Sequence, residues 1–306
     1  MLKIASIGEC MIELVQAGPG LLRQGYGGDT LNTAVYLRRS LPAEAGSVAY
    51  VTALGDDSFS DEMVKAWQAE GLDCSRVARL EGRLPGLYVI RTDEAGERSF
   101  LYWRSAAAAK EVFKGADGEA RLAALADFDL VYLSGISLAI LPAADREKLL
   151  ASLAARRRAG ATIAFDPNYR PRLWPDKESA RAAMTEAAKT ATIILPSFAE
   201  EQALFGDTTP EATLDRLHAA GAEEVIVKNG DAPIHFRMND ERFTTLPIQV
   251  GDTVDTTGAG DSFNGAYLAA RLQNHTIAHA VDAATRLAAT VIRHQGAVIP
   301  KDATLF

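Results

Sequence analysis

The chain reads, from residue 255 to residue 263, Asp-Thr-Thr-Gly-Ala-Gly-Asp-Ser-Phe, and continues into an apolar segment of helical character that ends at Leu272. Glycines let the backbone approach a ligand closely, and the first amides of a helix have no partner within it. Free N–H groups at the positive end of a helix dipole favour an anion, so this turn predicts a phosphate site. The Asp261 carboxylate could accept a proton from a hydroxyl that attacks the phosphate. The alternative is that Asp261 only caps the helix.

Several other kinds of phosphate or hydrolytic site are excluded because their motifs are missing. The sequence has no G-x-x-x-x-G-K-[ST], which excludes a P-loop NTPase. The first apolar run, residues 4–7, leads into Gly8 without G-x-G-x-x-G, so an NAD(P) oxidoreductase with the usual dinucleotide fingerprint is disfavoured. Neither G-x-S-x-G nor H-E-x-x-H occurs, and the five histidines are scattered.

Composition indicates an ordinary globular protein. The 306 residues suffice for two small domains or one large α/β domain, and the net charge of -8 disfavours nucleic-acid or anionic-membrane partners. No run approaches the roughly 18 apolar residues of a membrane span. Cys10 and Cys74 form no disulfide framework or metal motif, so we expect two small buried apolar side chains and a cytoplasmic location.

Short apolar runs that precede helix-like or loop segments predict a parallel sheet with helices on both faces. Four such runs are residues 128–133, 162–165, 192–195 and 225–227. A helix is predicted from about Pro142, because arginines 156–158 fall in its last turn and Gly160 follows.

Residues 87–104 do not follow this pattern of a strand and then a helix or loop, and instead predict a β-hairpin around a turn at residues 93–96. If Gly96 adopts the left-handed conformation, Tyr88 lies opposite Tyr102, and one face carries Phe100, Tyr102 and Arg104. Such a face suits a flap over a ligand. The alternative is an ordinary edge hairpin with surface tyrosines.

Two segments resemble the signatures of ribokinase-like (PfkB) carbohydrate kinases. Residues 255–263 resemble the C-terminal signature, and residues 27–34, Gly-Gly-Asp-Thr-Leu-Asn-Thr-Ala, resemble the N-terminal glycine-pair motif. Further segments are similar to the members of this family that phosphorylate 2-keto-3-deoxygluconate: residues 8–13 (GECMIE), 84–88 (LPGLY), 102–105 (YWRS), 133–137 (LSGIS) and 166–174 (DPNYRPRLW).

The resemblance covers nearly the whole chain and implies a ribokinase-like α/β fold. In this fold a mostly parallel central sheet is flanked by helices in a three-layer sandwich, and a small β-sheet forms a lid. The chain is then one kinase domain, residues 1–306, whose lid consists of insertions at approximately 10–33 and 84–106.

By the same resemblance the protein is a phosphotransferase that uses ATP and Mg²⁺ to make the 6-phosphate of 2-keto-3-deoxygluconate. Asp261 is the implied base, and the amides of Gly258, Ala259 and Gly260 stabilise the transferred group. The implied substrate-binding residues are Gly28, Asp29, Asn32, Tyr88, Tyr102, Arg104 and Arg170. The implied nucleotide-binding residues are Asn168, Ser197, Lys228, Gly230, Gly258 and Gly260.

One departure concerns the family's N-x-x-E segment, which reads Ser197-Phe198-Ala199-Glu200 here. Glu200 could act on Mg²⁺ through water, since this ion keeps part of its hydration shell. An equally good alternative is that Glu200 stabilises the first turn of a helix that Ser197 caps.

A keto-sugar acid carries a carboxylate, and the planar fork of an arginine side chain matches a carboxylate in a way that lysine does not. Arg104 and Arg170 are the candidates for this contact. The alternatives are a related kinase for a neutral sugar such as fructose, or a non-catalytic sugar or nucleotide sensor. We also expect a homodimer or higher homo-oligomer formed through the exposed hairpin.

Overall fold

The computed structural model describes residues 1–18, 20–92, 98–246 and 251–304. Its strands are β1 (Leu2–Ile7), β2 (Met11–Gly18), β3 (Leu21–Gly27), β4 (Gly46–Leu54), β5 (Val77–Arg79), β6 (Leu87–Thr92), β7 (Arg98–Trp103), β8 (Leu130–Ser134), β9 (Thr162–Asp166), β10 (Ile193–Ile194), β11 (Glu224–Val227), β12 (His235–Met238) and β13 (Glu241–Thr244). Its helices are α1 (Asp29–Ser40), α2 (Ser58–Ala69), α3 (Gly115–Ala123), α4 (Gly135–Ile140), α5 (Ala143–Arg158), α6 (Lys177–Thr190), α7 (Phe198–Phe205), α8 (Pro210–Ala219), α9 (Ala259–Leu272) and α10 (Ile277–Val291).

The main sheet has nine strands in the order β13-β12-β11-β10-β9-β8-β1-β4-β5. The seven strands β11, β10, β9, β8, β1, β4 and β5 run parallel to one another. Strands β12 and β13 add an antiparallel edge beside β11. From β1 the chain proceeds to β4 on one side and later to β8 on the other. In open α/β sheets such a switch in strand order opens a crevice at the carboxyl ends of the strands, where ligands bind.

Helices cover both faces of the main sheet, as the apolar runs predicted. Along β8, Val131 and Leu133 belong to one buried cluster, with α5 and α6, while Leu130 and Tyr132 belong to the other, with α1, α9 and α10. Successive side chains of a strand point to opposite faces, so one short strand contributes to both cores. The three-layer α/β sandwich is therefore confirmed.

The individual elements predicted from sequence are confirmed with small differences at their ends. Helix α5 begins after Pro142 and ends at Arg158, and Gly160 follows with φ +94°. The run 192–195 forms a strand over only two residues. Pro196 follows this run and has no N–H to continue a ladder.

A separate sheet of four strands has the order β3-β2-β6-β7. In its β6–β7 hairpin Tyr88 pairs with Tyr102, which is the predicted register. The predicted turn at residues 93–96 lies outside the described residues. The small sheet next to the main one is also as expected.

Both cysteines are free thiols; Cys10 is buried, as expected, and Cys74 is only half-buried. Within the described ranges, no helix has the length and apolar character needed to span a membrane.

Candidate active site

A cleft of about 2030 Å³ lies where residues from both sheets meet. Its lining includes Glu9 just after β1, Asp166 at the end of β9 and Lys228 just after β11, so the carboxyl ends of the parallel strands form one wall. Aromatic residues of the small sheet, Tyr88, Phe100, Tyr102 and Trp103, also line it.

The glycine-rich turn at the start of α9 faces this cleft. Gly258 precedes the helix with a left-handed φ of +77°, and a Cβ at this position would lie 2.5 Å from the Ala297 carbonyl oxygen. A side chain is therefore disfavoured here both by backbone conformation and by space. Asp255 braces the turn, because its carboxylate accepts hydrogen bonds from the Thr257 N–H at 3.0 Å and the Gly296 N–H at 2.8 Å.

The three amides implied by the family resemblance are not equivalent. The Ala259 N–H donates to the Thr256 carbonyl oxygen at 3.2 Å, so it is engaged within the turn. For the N–H groups of Gly258 and Gly260, the described residues provide no acceptor. These two donors remain available for an anion at the positive end of α9.

Asp261 lies in the first turn of α9 and lines the cleft. Its carboxylate accepts a hydrogen bond from Asn32 Nδ2 of α1 at 2.8 Å, a contact to a neighbouring helix rather than a cap of its own. Burial, followed by the nearby Asp29 carboxylate, raises the pKa of Asp261 to about 7. A carboxylate with this pKa can exchange protons near neutral pH.

Beside Asp261 lies a buried polar network that contains two more carboxylates. Asp29 accepts a hydrogen bond from Asn168 Nδ2 at 2.7 Å, and burial raises the pKa of Asp29. Asp166 accepts bonds from Asn264 Nδ2 at 2.6 Å and from Lys228 Nζ at 3.1 Å. The backbone of Asn168 has a left-handed φ of +36°, which asparagine tolerates better than most residues.

Arg104 lines the cleft next to Tyr102, whose ring centroid lies 5.9 Å from its guanidinium carbon. On its other side Arg104 forms an ion pair with Glu9, which is 2% exposed. Burial raises the pKa of Glu9, and the charge of Arg104 opposes that rise. Among the described residues, Glu9 Oε1 and Arg104 Nε have no hydrogen-bond partner.

The tyrosines of the small sheet are fixed by a similar contact. The Tyr88 hydroxyl donates a hydrogen bond to the Glu13 carboxylate, and the centroids of the Tyr88 and Tyr102 rings lie 5.8 Å apart. Burial and the Glu13 carboxylate raise the pKa of Tyr88, so its hydroxyl stays protonated.

Arg170 also lines the cleft, and half of its side chain is exposed. Its Nη1 lies 2.5 Å from Glu200 Oε1, and Glu200 Oε2 accepts the Tyr169 N–H at 3.2 Å. Burial raises the pKa of Glu200, while Arg170 opposes the rise. Ser197 precedes α7 but contributes no capping bond from its side chain.

Most of the residues singled out from sequence meet in this cleft. The lining includes Gly28, Asp29, Asn32, Tyr88, Tyr102, Arg104, Asn168, Arg170, Ser197, Glu200, Lys228, Gly258, Gly260 and Asp261. Gly230 does not line it and lies in an exposed turn with φ +62°, and Ala259 does not line it either.

Sequence reasoning gave no role to Glu9, Glu13, Asp166 and Asn264, all of which contact predicted site residues. For two of them, Glu9 and Asp166, the sequence did contain a pattern that indicates a site residue. Glu9 and Asp166 are charged residues at the carboxyl ends of buried strands, and charged side chains are rarely buried unless paired.

The cleft combines free amide donors at a helix N-terminus with a carboxylate of raised pKa, an arrangement typical of enzymes that transfer phosphoryl groups. The model of the pfkB family carbohydrate kinases matches residues 1–304, so the chain belongs to that family.

The chain is also similar to individual members of this family. The chain is 46% identical over 303 residues to a 2-dehydro-3-deoxygluconokinase of Dickeya dadantii, with 98% of this chain and 97% of that protein covered. It is 45% identical over 304 residues to the 2-dehydro-3-deoxygluconokinase of Escherichia coli K12, with 98% of each covered. A solved PfkB protein from Polaromonas sp. is similar with a TM-score of 0.84 and 26% identity, over 97% of both chains.

We predict that Gly258→Ala destabilises the protein more than a matched glycine substitution does. Gly160 also has a left-handed φ, +94°, but a Cβ there meets no atom within 4 Å. Gly160→Ala should cost only the conformational strain of about 1–2 kcal/mol. Gly258→Ala adds the clash with the Ala297 carbonyl, so its midpoint in urea denaturation should fall further, and kcat should fall by about 10² or more as the amide donors move. Equal midpoints for the two variants would show that the clash has no energetic consequence.

Proposed function

We propose that this protein phosphorylates 2-keto-3-deoxygluconate at its terminal hydroxyl, with ATP as donor, to give the 6-phosphate. The observation that carries the proposal is that two arginines, Arg104 and Arg170, share one cleft with Asp261 and the free amides of the α9 turn. Relatives named 2-dehydro-3-deoxygluconokinase, at 45% and 46% identity over 98% of the chain, support the same substrate.

In the proposed reaction the Asp261 carboxylate takes the proton of the sugar hydroxyl as its oxygen bonds to the γ-phosphorus of ATP. The bond from that phosphorus to the bridging oxygen breaks, and its electron pair leaves with ADP. The N–H groups of Gly258 and Gly260 donate to the transferred phosphoryl oxygens. Phosphoryl transfer depends mainly on such positioning and electrostatic stabilisation.

The two arginines hold the substrate carboxylate in this proposal. Each guanidinium has five N–H donors, and the pairs with Glu9 and Glu200 leave several of them free. The sugar itself lies between the tyrosines of the small sheet and α1, where Gly28, Asp29 and Asn32 contact its hydroxyls.

Mg²⁺ enters with ATP in this proposal and supplies positive charge at the phosphates. Within the part of the chain that the structure describes, no group of three or more His, Cys, Asp or Glu side chains is arranged to hold a metal. Glu200 lines the cleft and retains free lone pairs for a contact through the water shell that Mg²⁺ keeps, and Ser197 lines the same cleft, whereas Gly230 lies outside its lining.

The small sheet serves as a lid in this proposal, as part of a single domain. Its strands fall within the two expected insertions, residues 10–33 and 84–106, although residues 29–33 belong to α1. Exposed Leu101 and Trp103 on β7 are consistent with the homodimer expected through this hairpin, which stays a prediction.

We expect the wild-type protein to release ADP with 2-keto-3-deoxygluconate far faster than with a neutral sugar. The reason is that only the sugar acid carries a carboxylate to match the arginines. The measurement is a coupled ADP-release assay with Mg-ATP across keto-deoxy sugar acids, fructose, ribose and adenosine. Preferential turnover of fructose would favour the neutral-sugar kinase, and nucleotide binding without any turnover would favour a sensor.

Asp261→Asn should lower kcat by about 10² to 10⁴, the usual effect of losing a general base. Because the base must be deprotonated and the pKa of Asp261 is about 7, wild-type kcat/KM should fall as the pH drops below about 7. The measurement is a pH–rate profile of the wild type, the variant and the surface control Asp282→Asn. Near-normal turnover of Asp261→Asn, with the control also normal, would reject Asp261 as the base.

Arg104→Met and Arg170→Met should each raise the KM for the sugar acid about 10-fold or more, since a hydrogen bond to a charged group contributes about 1.5–3 kcal/mol. The KM for ATP should change much less. Steady-state kinetics on both substrates separate these effects, and the surface variant Arg286→Met is the control. If neither substitution changes the KM for the sugar acid, the carboxylate is recognised elsewhere.

A further inference from the structure

Lys228 has an unusually fixed position for a lysine that follows a strand end. Its Nζ donates to Asp166 Oδ2 at 3.1 Å and to Asn264 Oδ1 at 3.0 Å, and its side chain is 12% exposed. The Lys228 Nζ also lies 3.7 Å from the point where a Cβ of Gly260 would stand. The ammonium group is therefore beside the free amides at the start of α9.

Asn264 holds this lysine from α9, the helix that also carries Asp261. It is fully buried on α9, one turn after Asp261, and its Nδ2 donates to both Asp166 at 2.6 Å and the Tyr132 hydroxyl at 3.2 Å. Of the three ammonium hydrogens on Lys228, two have acceptors, and the described residues provide none for the third. That donor is left for a ligand in the cleft.

The charge of Lys228 also acts on Asp261, together with other charged groups around that carboxylate. Burial is the largest cause of the raised pKa of Asp261, and the carboxylates of Asp29 on α1 and Asp166 on β9 raise it further. Asn32 and Lys228 act in the opposite direction. The buried tyrosines Tyr36 and Tyr132 also face this region, but their raised pKa values keep them neutral.

We propose that Lys228 is a catalytic residue that stabilises the negative charge of the phosphoryl group during its transfer, and that Asp166 and Asn264 are the positioning residues that hold it there. This inference rests on the proposed function. In the step, the sugar oxygen bonds to phosphorus, its proton passes to Asp261, and the electron pair of the broken bond leaves with ADP. The third N–H of Lys228 donates to a phosphoryl oxygen beside the Gly258 and Gly260 amides throughout.

A purely structural lysine would neutralise Asp166 and affect folding alone. A residue that only binds the nucleotide would change the KM for ATP and leave kcat unchanged. Stabilisation during transfer instead lowers kcat, because the interaction is strongest where charge develops. These alternatives predict different kinetics for the same substitution.

Lys228→Met should lower kcat by about 10² to 10³, the range for loss of one donor to a developing anion, with little change in the KM for ATP. Lys189→Met on the exposed face of α6 is the control and should behave as wild type. The assay uses whichever sugar the wild type phosphorylates, so failure with 2-keto-3-deoxygluconate rejects the proposed substrate and leaves this test intact. A change in the KM for ATP without loss of kcat would overturn the inference.

The pH profile tests whether the charges of Lys228 and Asp166 act on Asp261, while the loss of kcat separates a catalytic from a structural role. Removing the positive charge in Lys228→Met should shift the acidic limb of kcat to higher pH by about one unit or more. Asp166→Asn removes a negative charge from the same network, so it should shift that limb to lower pH while kcat falls because Lys228 is no longer held.

Lys228→Arg keeps the charge but not the fit, and it should keep the wild-type limb with reduced kcat. If Lys228→Met does not fold, as judged by circular dichroism, Asp166→Asn and Lys228→Arg carry the test. An acidic limb that stays at the wild-type pH in Asp166→Asn, together with undiminished kcat in Lys228→Arg, would overturn the inference.

Discussion

The close packing of α1 against α9 is the constraint on which the site depends. A Cβ on Gly265 of α9 would lie 2.7 Å from the Leu37 nitrogen and 2.8 Å from the Thr33 carbonyl oxygen of α1, so the two helices meet where α9 has no side chain. Because the helices are this close, Asn32 of α1 reaches Asp261 of α9 at 2.8 Å. One helix brings residues proposed for sugar binding, and the other brings Asp261, the proposed base, and the free amides. Their packing sets the distance between the two halves of the reaction.

The same region concentrates negative charge that the fold must compensate. Asp29, Asp166 and Asp261 lie near one another; beyond the effect of burial, Asp166 raises the pKa of Asp29, and Asp29 and Asp166 raise the pKa of Asp261. Amide groups of asparagines and the ammonium of Lys228 donate to these carboxylates. Buried charges persist in proteins only with such partners. The arrangement leaves Asp261 with a pKa of about 7, which suits a group that must accept a proton from an alcohol near neutral pH.

Sequence patterns were sufficient where the determining interactions are local. The start and end of α5 follow from Pro142 and Gly160, and the pairing of Tyr88 with Tyr102 follows from hairpin geometry. They were insufficient where partners are far apart in the chain. The pairs Arg104–Glu9 and Arg170–Glu200 join residues 95 and 30 positions apart. Likewise, the Ala259 N–H is not a free donor because the turn brings it to the Thr256 carbonyl oxygen. The spacing of residues in the sequence does not contain this information.

The ion pairs of Arg104 with Glu9 and of Arg170 with Glu200 favour a negatively charged substrate over a neutral one. Removing Arg104 and Glu9 from water is costly, and an ion pair this deeply buried is often less stabilising than apolar side chains of similar size. A cleft for a neutral sugar gains nothing from that cost. For a sugar acid, a guanidinium held from behind by a buried glutamate presents its remaining N–H donors to the cleft in a fixed orientation. The substrate carboxylate then meets donors that need little reordering, and such preorganisation is the main way in which a binding site gains affinity without a larger contact area.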